Sequence, residues 1–189
     1  LFPPSLVATV LAYVVTGKHS IYASQVRSRA ESPAHGISKI ASLRTVYENL
    51  RKTRPKLLVE IKAEDVMNRS CVSLFCRMKV KEAVEVMRKH HYKTYPLVDE
   101  LGRYTGFIRV EDIPFSKSNV MDLPLFSLHV HKGITVPKGA TLERVIREML
   151  DNETDKVFVV GEGRKLEGMV TLWEILHAVA LRKGKRKAS

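Results

Sequence analysis

The stretch that decides the fold occurs twice in the chain. It runs Pro96-Leu-Val-Asp-Glu-Leu-Gly-Arg-Tyr-Thr-Gly-Phe-Ile108, and it returns as Phe158-Val-Val-Gly-Glu-Gly-Arg-Lys-Leu-Glu-Gly-Met-Val170. In each copy two short apolar runs flank a polar segment, and the second run opens with a glycine, which predicts two buried strands joined by a hairpin. The sequence therefore contains an internal repeat.

The repeat extends in both directions from this hairpin. Residues 66–113 align with residues 128–175 at a constant offset and without a gap. Before the hairpin, apolar residues follow the i, i+3, i+4, i+7 spacing of an amphipathic helix. They are Val80, Ala83, Val84 and Met87 in the first copy, and Leu142, Val145, Ile146 and Met149 in the second. After the hairpin, Asp112 and Glu174 each begin a predicted helix, where a carboxylate suits the helix dipole.

Each unit is thus predicted to run strand, helix, strand, hairpin, strand, helix over roughly 50 residues. One unit of this size is too small to bury both faces of its sheet. We therefore predict that the two units pack together as a pseudo-twofold pair with a cleft between them, in an α+β (α/β) fold.

The charge of the chain lies mainly outside the repeat. The formal net charge of the 189 residues is +12, but residues 61–181 hold 18 cations and 17 anions. Residues 1–60 hold 9 cations and 3 anions, and residues 182–189 hold 5 cations and no anion. Because the folded body is nearly neutral, no nucleic acid is expected as a partner. The basic ends suit anionic lipid headgroups, and a solvated linker and tail are the alternative.

The sequence contains no catalytic or metal-binding pattern. It has no nucleophile–His–Asp arrangement, no glycine-rich phosphate loop and no paired carboxylate motif, so we expect no enzymatic activity. Cys71 and Cys76 point to opposite faces of one extended segment and have no partners at ligand spacing. They indicate a reduced, intracellular protein without a metal site.

The repeat resembles a tandem pair of CBS domains, also called a Bateman module. The characteristic stretch of that family is a strand containing proline, a turn, then glycine, two apolar residues, a hydroxyl residue, two variable residues and an acid. Gly168-Met-Val-Thr-Leu-Trp-Glu174 matches it with Glu174 in the usual place of Asp. Gly106-Phe-Ile-Arg-Val-Glu-Asp112 matches it except that Arg109 replaces the hydroxyl residue.

The beginning of the sequence carries a second resemblance. Residues 1–16 contain no charge but are fewer than the about 20 apolar residues of a membrane-spanning helix, and they precede cations that favour the cytoplasmic side. Gly17-Lys18 followed by Tyr22 is similar to the end of the last membrane helix of the CLC chloride channel and transporter family. That resemblance implies that Tyr22 helps to coordinate chloride. A core helix of a soluble domain is the alternative for this segment.

The CLC resemblance also implies a nucleotide site, with ATP, ADP or AMP as a regulatory ligand and no obligatory cofactor. In members that bind nucleotide, the base stacks on a Tyr four positions before the strand Pro, and Tyr92 stands four positions before Pro96. Glu174 would then accept the ribose hydroxyls, Thr171 would contact ribose or phosphate, and Lys93 would add charge. The alternative is that Tyr92 packs and that the acids cap helices.

Asp112 and Arg109 belong to the corresponding positions of the second half-site. Arg109 either clamps a phosphate there or forms a salt bridge with Asp112 or Glu111.

The predicted organisation follows from these resemblances. A connector, partly helical from Ile40 to Leu50, joins the leader to the repeat. The full prediction is the end of the last transmembrane helix at 1–17, a basic cytoplasmic linker at 18–57, CBS domain 1 at 58–113, a connector at 114–127, CBS domain 2 at 128–181 and a basic tail at 182–189.

The predicted function is the cytoplasmic regulatory region of a CLC-type chloride channel or chloride/proton exchanger in the cell membrane. Its partners would be the transmembrane domain upstream in the same polypeptide and a second copy, through a CBS-mediated homodimer. A soluble nucleotide-sensing CBS protein with basic ends that bind nucleic acid is the alternative. A CBS pair fused to an enzyme or a magnesium channel has no supporting residues in the sequence.

Overall fold

The computed structural model describes residues 33–115 and 118–184. The described residues from Lys39 onward form one compact unit. Three helices precede the repeat: α1 (Pro33–Thr53), α2 (Pro55–Glu60) and α3 (Ala63–Val66). The break between α1 and α2 falls at Arg54 because Pro55 disfavours helical geometry in the residue before it and then starts a new helix.

The first repeat is a three-stranded sheet with one long helix. It consists of β1 (Leu74–Phe75), α4 (Val80–His90), β2 (Thr94–Val98) and β3 (Tyr104–Arg109). In the sheet order β1-β2-β3, β1 is parallel to β2 and β2 is antiparallel to β3. The polar segment between β2 and β3 is the predicted hairpin, in which Gly102 takes a positive φ of 74°.

The second repeat has the same topology. It consists of β4 (Thr135–Pro137), α5 (Leu142–Asp151), β5 (Lys156–Val160), β6 (Leu166–Thr171) and α6 (Leu172–Gly184). Strands β5 and β6 fall at the aligned positions of β2 and β3, and both hairpins carry a bulge at the same place, after Leu97 and after Val159. The predicted tandem pair with a mixed α/β fold is therefore confirmed.

The two repeat helices bury the apolar stripes that the spacing predicts. All eight stripe residues are buried, and all except Val84 expose no more than 6% of their surface. Thr141 caps the start of helix α5, because its hydroxyl accepts a hydrogen bond from the Arg144 amide. Helix α4 is terminated by the next residue, His91, which adopts left-handed geometry with φ at 54°.

The repeats differ after their last strands, where a helix is predicted in both. In the second repeat α6 follows β6 directly, whereas in the first a single 3-10 turn (Val110–Asp112) follows β3. The prediction of a helix at Asp112 is wrong because Pro114 lacks an amide proton and disfavours helical geometry at Ile113, which is extended at ψ 115°. The segment up to β4 forms further 3-10 turns, Ser118–Val120 and Leu125–Ser127.

The segment before each sheet crosses to the other repeat. Asn68 exchanges two backbone hydrogen bonds with Met169 of β6, at 2.8 and 3.1 Å, and His131 does the same with Phe107 of β3, at 2.8 and 2.9 Å. Phe107 and Met169 are aligned positions of the two repeats, but Asn68 and His131 are separated by one position more than the repeat offset. The gapless alignment is therefore displaced at this point, and Asn68 and His131 hold equivalent positions.

The core is divided into clusters that follow these crossings. One cluster joins α1, α2 and α3 to the second repeat, so that Leu43, Tyr47 and Leu50 of α1 pack with the residues of α5. A second cluster belongs to the first repeat and includes Val120 and Leu125 from the segment between the repeats. A third cluster of Tyr104, Phe107 and Phe158 lies where the two sheets meet.

Candidate functional site

A cavity of about 180 Å³ lies between the two repeats. One wall comes from the start of β2 and the crossing segment of the first repeat, and the other comes from β5 and β6 of the second. Its lining residues are Asn68, Cys71, Val72, Tyr92, Lys93, Thr94, Pro96, Lys156 and Met169. We call this cavity and the adjacent Thr171 and Glu174 the open half-site.

Tyr92 and Lys93 line the open half-site because they follow the sharp end of α4 at His91. The Tyr92 amide donates a hydrogen bond to the Tyr95 hydroxyl at 3.1 Å, and that hydroxyl donates to the Met87 carbonyl at 3.3 Å. Tyr95 is fully buried, and burial raises the pKa of its phenol. The backbone at Tyr92 is thus fixed, while the residue stays 47% exposed and its ring lies 6.0 Å from the His90 ring.

Thr171 and Glu174 stand at the edge of the same half-site. Thr171 is the cross-strand partner of Lys156, which lines the cavity. The Glu174 carboxylate accepts hydrogen bonds from the Thr171 amide, at 2.9 Å, and from the Thr171 hydroxyl. Glu174 therefore supports the start of α6, and because a carboxylate can accept about four hydrogen bonds it retains capacity for further donors.

Asp112 and Arg109 take the equivalent places in the second half-site. The Asp112 carboxylate accepts a hydrogen bond from the Arg109 amide at 3.0 Å and contacts His131 Nε2 at 2.9 Å. The Arg109 guanidinium contacts Glu111 at 3.2 Å, which is one of the two salt bridges considered for it. The Asp112 carboxylate is thus engaged by a protein side chain, His131. Asn68 is the equivalent of His131 in the open half-site, but its side-chain oxygen accepts a hydrogen bond from the Ser70 amide instead of engaging Glu174.

Aromatic side chains fill the second half-site, which we call the closed half-site. Phe158 and Phe107 replace Pro96 and Met169, and their rings lie 5.4 Å apart. Tyr104 stacks on Phe158 at 4.7 Å, and His131 stacks on Phe107 at 4.9 Å. Burial raises the pKa of the Tyr104 phenol, whose hydroxyl donates to the Lys132 carbonyl at 3.0 Å.

Several lining residues of the open half-site were not among the residues predicted from the sequence. Asn68, Cys71 and Val72 come from the crossing segment, and Lys156 and Met169 come from the second repeat. The repeat gives one signal for Lys156, because Lys156 aligns with Thr94, which also lines the cavity. Burial raises the pKa of the Cys71 thiol, which disfavours its reactive thiolate at neutral pH.

A second, larger cavity of about 610 Å³ lies on the first repeat alone. It is a groove along α4 that shares Tyr92 and Lys93 with the open half-site and also contacts Met87, Val110 and Phe115. The corresponding face of α5 is covered by α1 and α6. The groove exists because the first repeat has a 3-10 turn in place of a final helix.

The described residues contain no group of three or more His, Cys, Asp or Glu side chains that could hold a metal ion. Within residues 33–115 and 118–184, no helix combines the length and apolarity that crossing a bilayer requires. Tyr22, the predicted leader at 1–17 and residues 185–189 of the predicted basic tail at 182–189 lie outside the described residues.

The two sheets, their crossing segments and the cleft between them define a protein built from a pair of related repeats. The family model of the CBS domain matches residues 63–113 and 120–181. The chain belongs to the CBS domain family, and the tandem pair inferred from the repeat is confirmed.

Two curated relatives are longer proteins that match the chain over part of their own length. The chain is similar to a zinc metalloprotease of Methanocaldococcus jannaschii, with 29% identity over 76% of this chain and 36% of the relative. It is also similar to inosine-5'-monophosphate dehydrogenase of Haemophilus influenzae, with 28% identity over 57% of this chain and 22% of that enzyme. The chain thus spans about a third or less of the length of these relatives.

Solved structures share the fold. The CBS domain of the bacterial CNNM/CorC family Mg²⁺ transporter in complex with ATP has a TM-score of 0.57 and 16% identity, covering 81% of this chain and 98% of that one. The cytosolic domain of the Mg²⁺ channel MgtE in complex with ATP has a TM-score of 0.55 and 24% identity, covering 63% of this chain and 49% of that one.

Proposed function

We propose that this CBS pair is a regulatory module that binds an adenine nucleotide in the open half-site. The observation that carries the proposal is the cavity between the repeats, which brings the exposed ring of Tyr92 together with two lysines, Lys93 and Lys156. Apolar walls with a few polar groups are the usual composition of a small-molecule site. The same fold holds ATP in two of the solved structures compared above.

Each part of a nucleotide has a suitable group in the open half-site. The base would lie against Tyr92 between the apolar side chains of Val72 and Met169, since aromatic rings stack on any base. The remaining acceptor capacity of Glu174 suits ribose hydroxyls. The ammonium groups of Lys93 and Lys156 suit phosphate.

The size of the cavity favours one nucleotide with its phosphates near the surface. A volume of about 180 Å³ is smaller than the roughly 300–1,000 Å³ typical of a complete ligand site. The base and ribose would occupy the cavity, and the phosphates would extend along Lys93 towards the groove, which shares that residue.

Calorimetric titration with ATP, ADP and AMP tests this proposal. Tyr92→Ala is expected to weaken binding about 5-fold to 150-fold, because stacking on one aromatic ring contributes about 1–3 kcal/mol per base. Phe126→Ala is the matched control, since Phe126 is also exposed, at 57%, but does not line the cavity. Equal binding by wild type and Tyr92→Ala would contradict stacking on this ring.

We also propose that the module regulates anion transport as the cytoplasmic C-terminal region of a CLC-type chloride channel or chloride/proton exchanger. The support is the similarity of Gly17-Lys18 and Tyr22 to the last CLC membrane helix, together with the basic segments on either side of the repeat. In this proposal the module lies beneath the cell membrane, is joined upstream to the transmembrane domain, pairs with a second copy and has no catalytic activity. The basic segments at 18–57 and 182–189 would contact anionic headgroups.

Flux measurements on the complete polypeptide in proteoliposomes test the transport proposal. Chloride efflux that responds to nucleotide and is weakened by Tyr22→Phe is expected, because the substitution removes the hydroxyl donor. Mg²⁺ flux without chloride flux would contradict it. Salt-sensitive binding of duplex DNA by the chain would favour the soluble alternative.

A further inference from the structure

Asp155 lies between two lysines from different parts of the fold. Its Oδ2 contacts Nζ of Lys39, in α1, at 2.7 Å, and its Oδ1 contacts Nζ of Lys156, the first residue of β5, at 2.6 Å. The side chains of Asp155 and Lys156 are only 28% and 21% exposed. One carboxylate is therefore shared by two ammonium groups, with one oxygen given to each.

The two lysines have different surroundings. Lys156 lines the open half-site, whereas Lys39 does not and its side chain is 56% exposed. Burial raises the pKa of Asp155, but hydrogen bonds from Lys156 and Lys39 outweigh it and lower that pKa to about 2. Asp155 is thus ionised at neutral pH, and its single negative charge is divided between α1 and the open half-site.

We propose that Asp155 is a positioning residue that couples phosphate binding in the open half-site to the docking of α1. This inference rests on the proposed nucleotide site. A phosphate that approaches Lys156 competes with Asp155 for the ammonium group. Once Lys156 binds the phosphate, the Asp155 carboxylate pairs with Lys39 alone. The Lys39–Asp155 contact, which holds the start of α1 to the second repeat, then becomes stronger.

The coupling acts in both directions, as linkage between two sites requires. Lys39 neutralises part of the negative charge beside Lys156 and so favours the arrival of an anion. Without Lys39, the full charge of Asp155 would face Lys156 and oppose phosphate binding. Because α1 is the first described element of the chain, ligand binding in the open half-site would change how firmly the segment on the N-terminal side of the repeats is docked.

Titration of ADP and adenosine into wild type and Lys39→Met tests the coupling. The variant is expected to bind ADP about 2- to 5-fold more weakly, which is the range of partly exposed ion pairs, and adenosine as well as wild type does, because adenosine has no phosphate. Lys138→Met is the matched control. Lys138 is an exposed lysine of the second repeat that pairs with Glu167 at 3.7 Å, outside the lining of the open half-site. Lys138→Met removes the same charge as Lys39→Met and is expected to leave the affinities for ADP and adenosine unchanged.

A double-mutant cycle separates coupling from a general charge effect. In Asp155→Asn the shared carboxylate is absent, so adding Lys39→Met is expected to change ADP affinity no further. Hydrogen exchange gives a second readout: ADP is expected to slow exchange of the α1 amides from Lys39 to Thr53 in wild type but not in Asp155→Asn.

The outcomes distinguish this inference from the nucleotide proposal. If wild type binds neither ADP nor adenosine, both are overturned. If wild type binds ADP but Lys39→Met and Lys138→Met both match it, or both weaken binding equally, only the coupling is overturned. A loss of adenosine affinity in Lys39→Met would assign Lys39 a purely structural role and would also overturn the coupling.

Discussion

The two half-sites share a backbone but differ in what fills them. Strand pairing is the same in both sheets, down to the bulges after Leu97 and Val159. In the open half-site Pro96 and Met169 leave a cavity, whereas in the closed half-site Phe158 and Phe107 occupy the equivalent positions. Main-chain pairing thus maintains the repeat, while side-chain volume at two positions distinguishes the half that retains a cavity from the half that aromatic rings fill.

Charge separates the half-sites as clearly as volume does. Lys93 of the open half-site aligns with Asp155 in the other repeat, so a cation is exchanged for an anion. His131 engages the Asp112 carboxylate, whereas its equivalent Asn68 turns back to the Ser70 amide. The acid of the closed half-site is thus engaged by the Arg109 amide and by His131.

The largest expected effect comes from emptying the closed half-site. Phe158→Ala is expected to lower the free energy of unfolding by about 3–5 kcal/mol, because Phe158 is fully buried and contacts both Tyr104 and Phe107. Pro96→Ala, at the equivalent position, is expected to cost about 1–2 kcal/mol, since it removes two carbons beside an existing cavity. Urea unfolding of both variants measures the difference. Equal losses would show that the two half-sites are packed alike.

A smaller effect is expected from a glycine of the closed half-site. Gly133 has a positive φ of 60°, and a Cβ there would lie 2.5 Å from the Tyr104 hydroxyl, 2.8 Å from Phe158 and 3.0 Å from Phe107. Gly133→Ala is therefore expected to destabilise the protein by about 2–3 kcal/mol through both strain and overpacking.

Gly163 supplies the control for backbone strain alone. Its φ is 61°, and a Cβ there would meet no atom within 4 Å. Gly163→Ala is expected to cost about 1 kcal/mol, which is the strain of left-handed geometry without a clash. If the two substitutions cost the same in thermal unfolding, the closed half-site is less tightly packed than its aromatic contacts indicate.

The sequence is sufficient to predict the repeated elements, because the spacing of apolar residues indicates local secondary structure. The helical stripes of α4 and α5 and the two hairpins were predicted at the observed places, and the resemblance to CBS repeats followed from Gly106 and Gly168 with the acids after them. The missing helix after β3 was not predicted, although Pro114 was visible, because the repeat suggested that Asp112 and Glu174 begin equivalent elements.

The composition of the open half-site was harder to predict. Tyr92 and Lys93 were identified through the family resemblance, but Asn68, Cys71 and Val72 enter the cavity only because their segment crosses to β6. A crossing between repeats leaves no periodic signal in either partner. The same reason explains why the pairing of Lys39 with Asp155, far apart in the sequence, is visible only in the fold.

A pH-dependent effect is expected at Asp155, which aligns with Lys93 of the first repeat. Its folded-state pKa of about 2 lies below the value near 4 of an unfolded Asp. The resulting stabilisation is present above about pH 4 and is lost as the pH falls towards 2, because protonation breaks the pairs with Lys156 and Lys39.

Asp155→Asn is therefore expected to be less stable than wild type by about 1–2 kcal/mol at pH 6, and the gap is expected to narrow steadily between pH 4 and pH 2 in urea unfolding. Asp122→Asn is the control. The pKa of Asp122 is also lowered, by a hydrogen bond and charge from Lys81, but its side chain is 69% exposed. Solvent screens such a pair, so its removal is expected to have little effect on stability at any pH. A gap between wild type and Asp155→Asn that stays constant with pH would mean that packing, and not the shared charge, holds Asp155 in place.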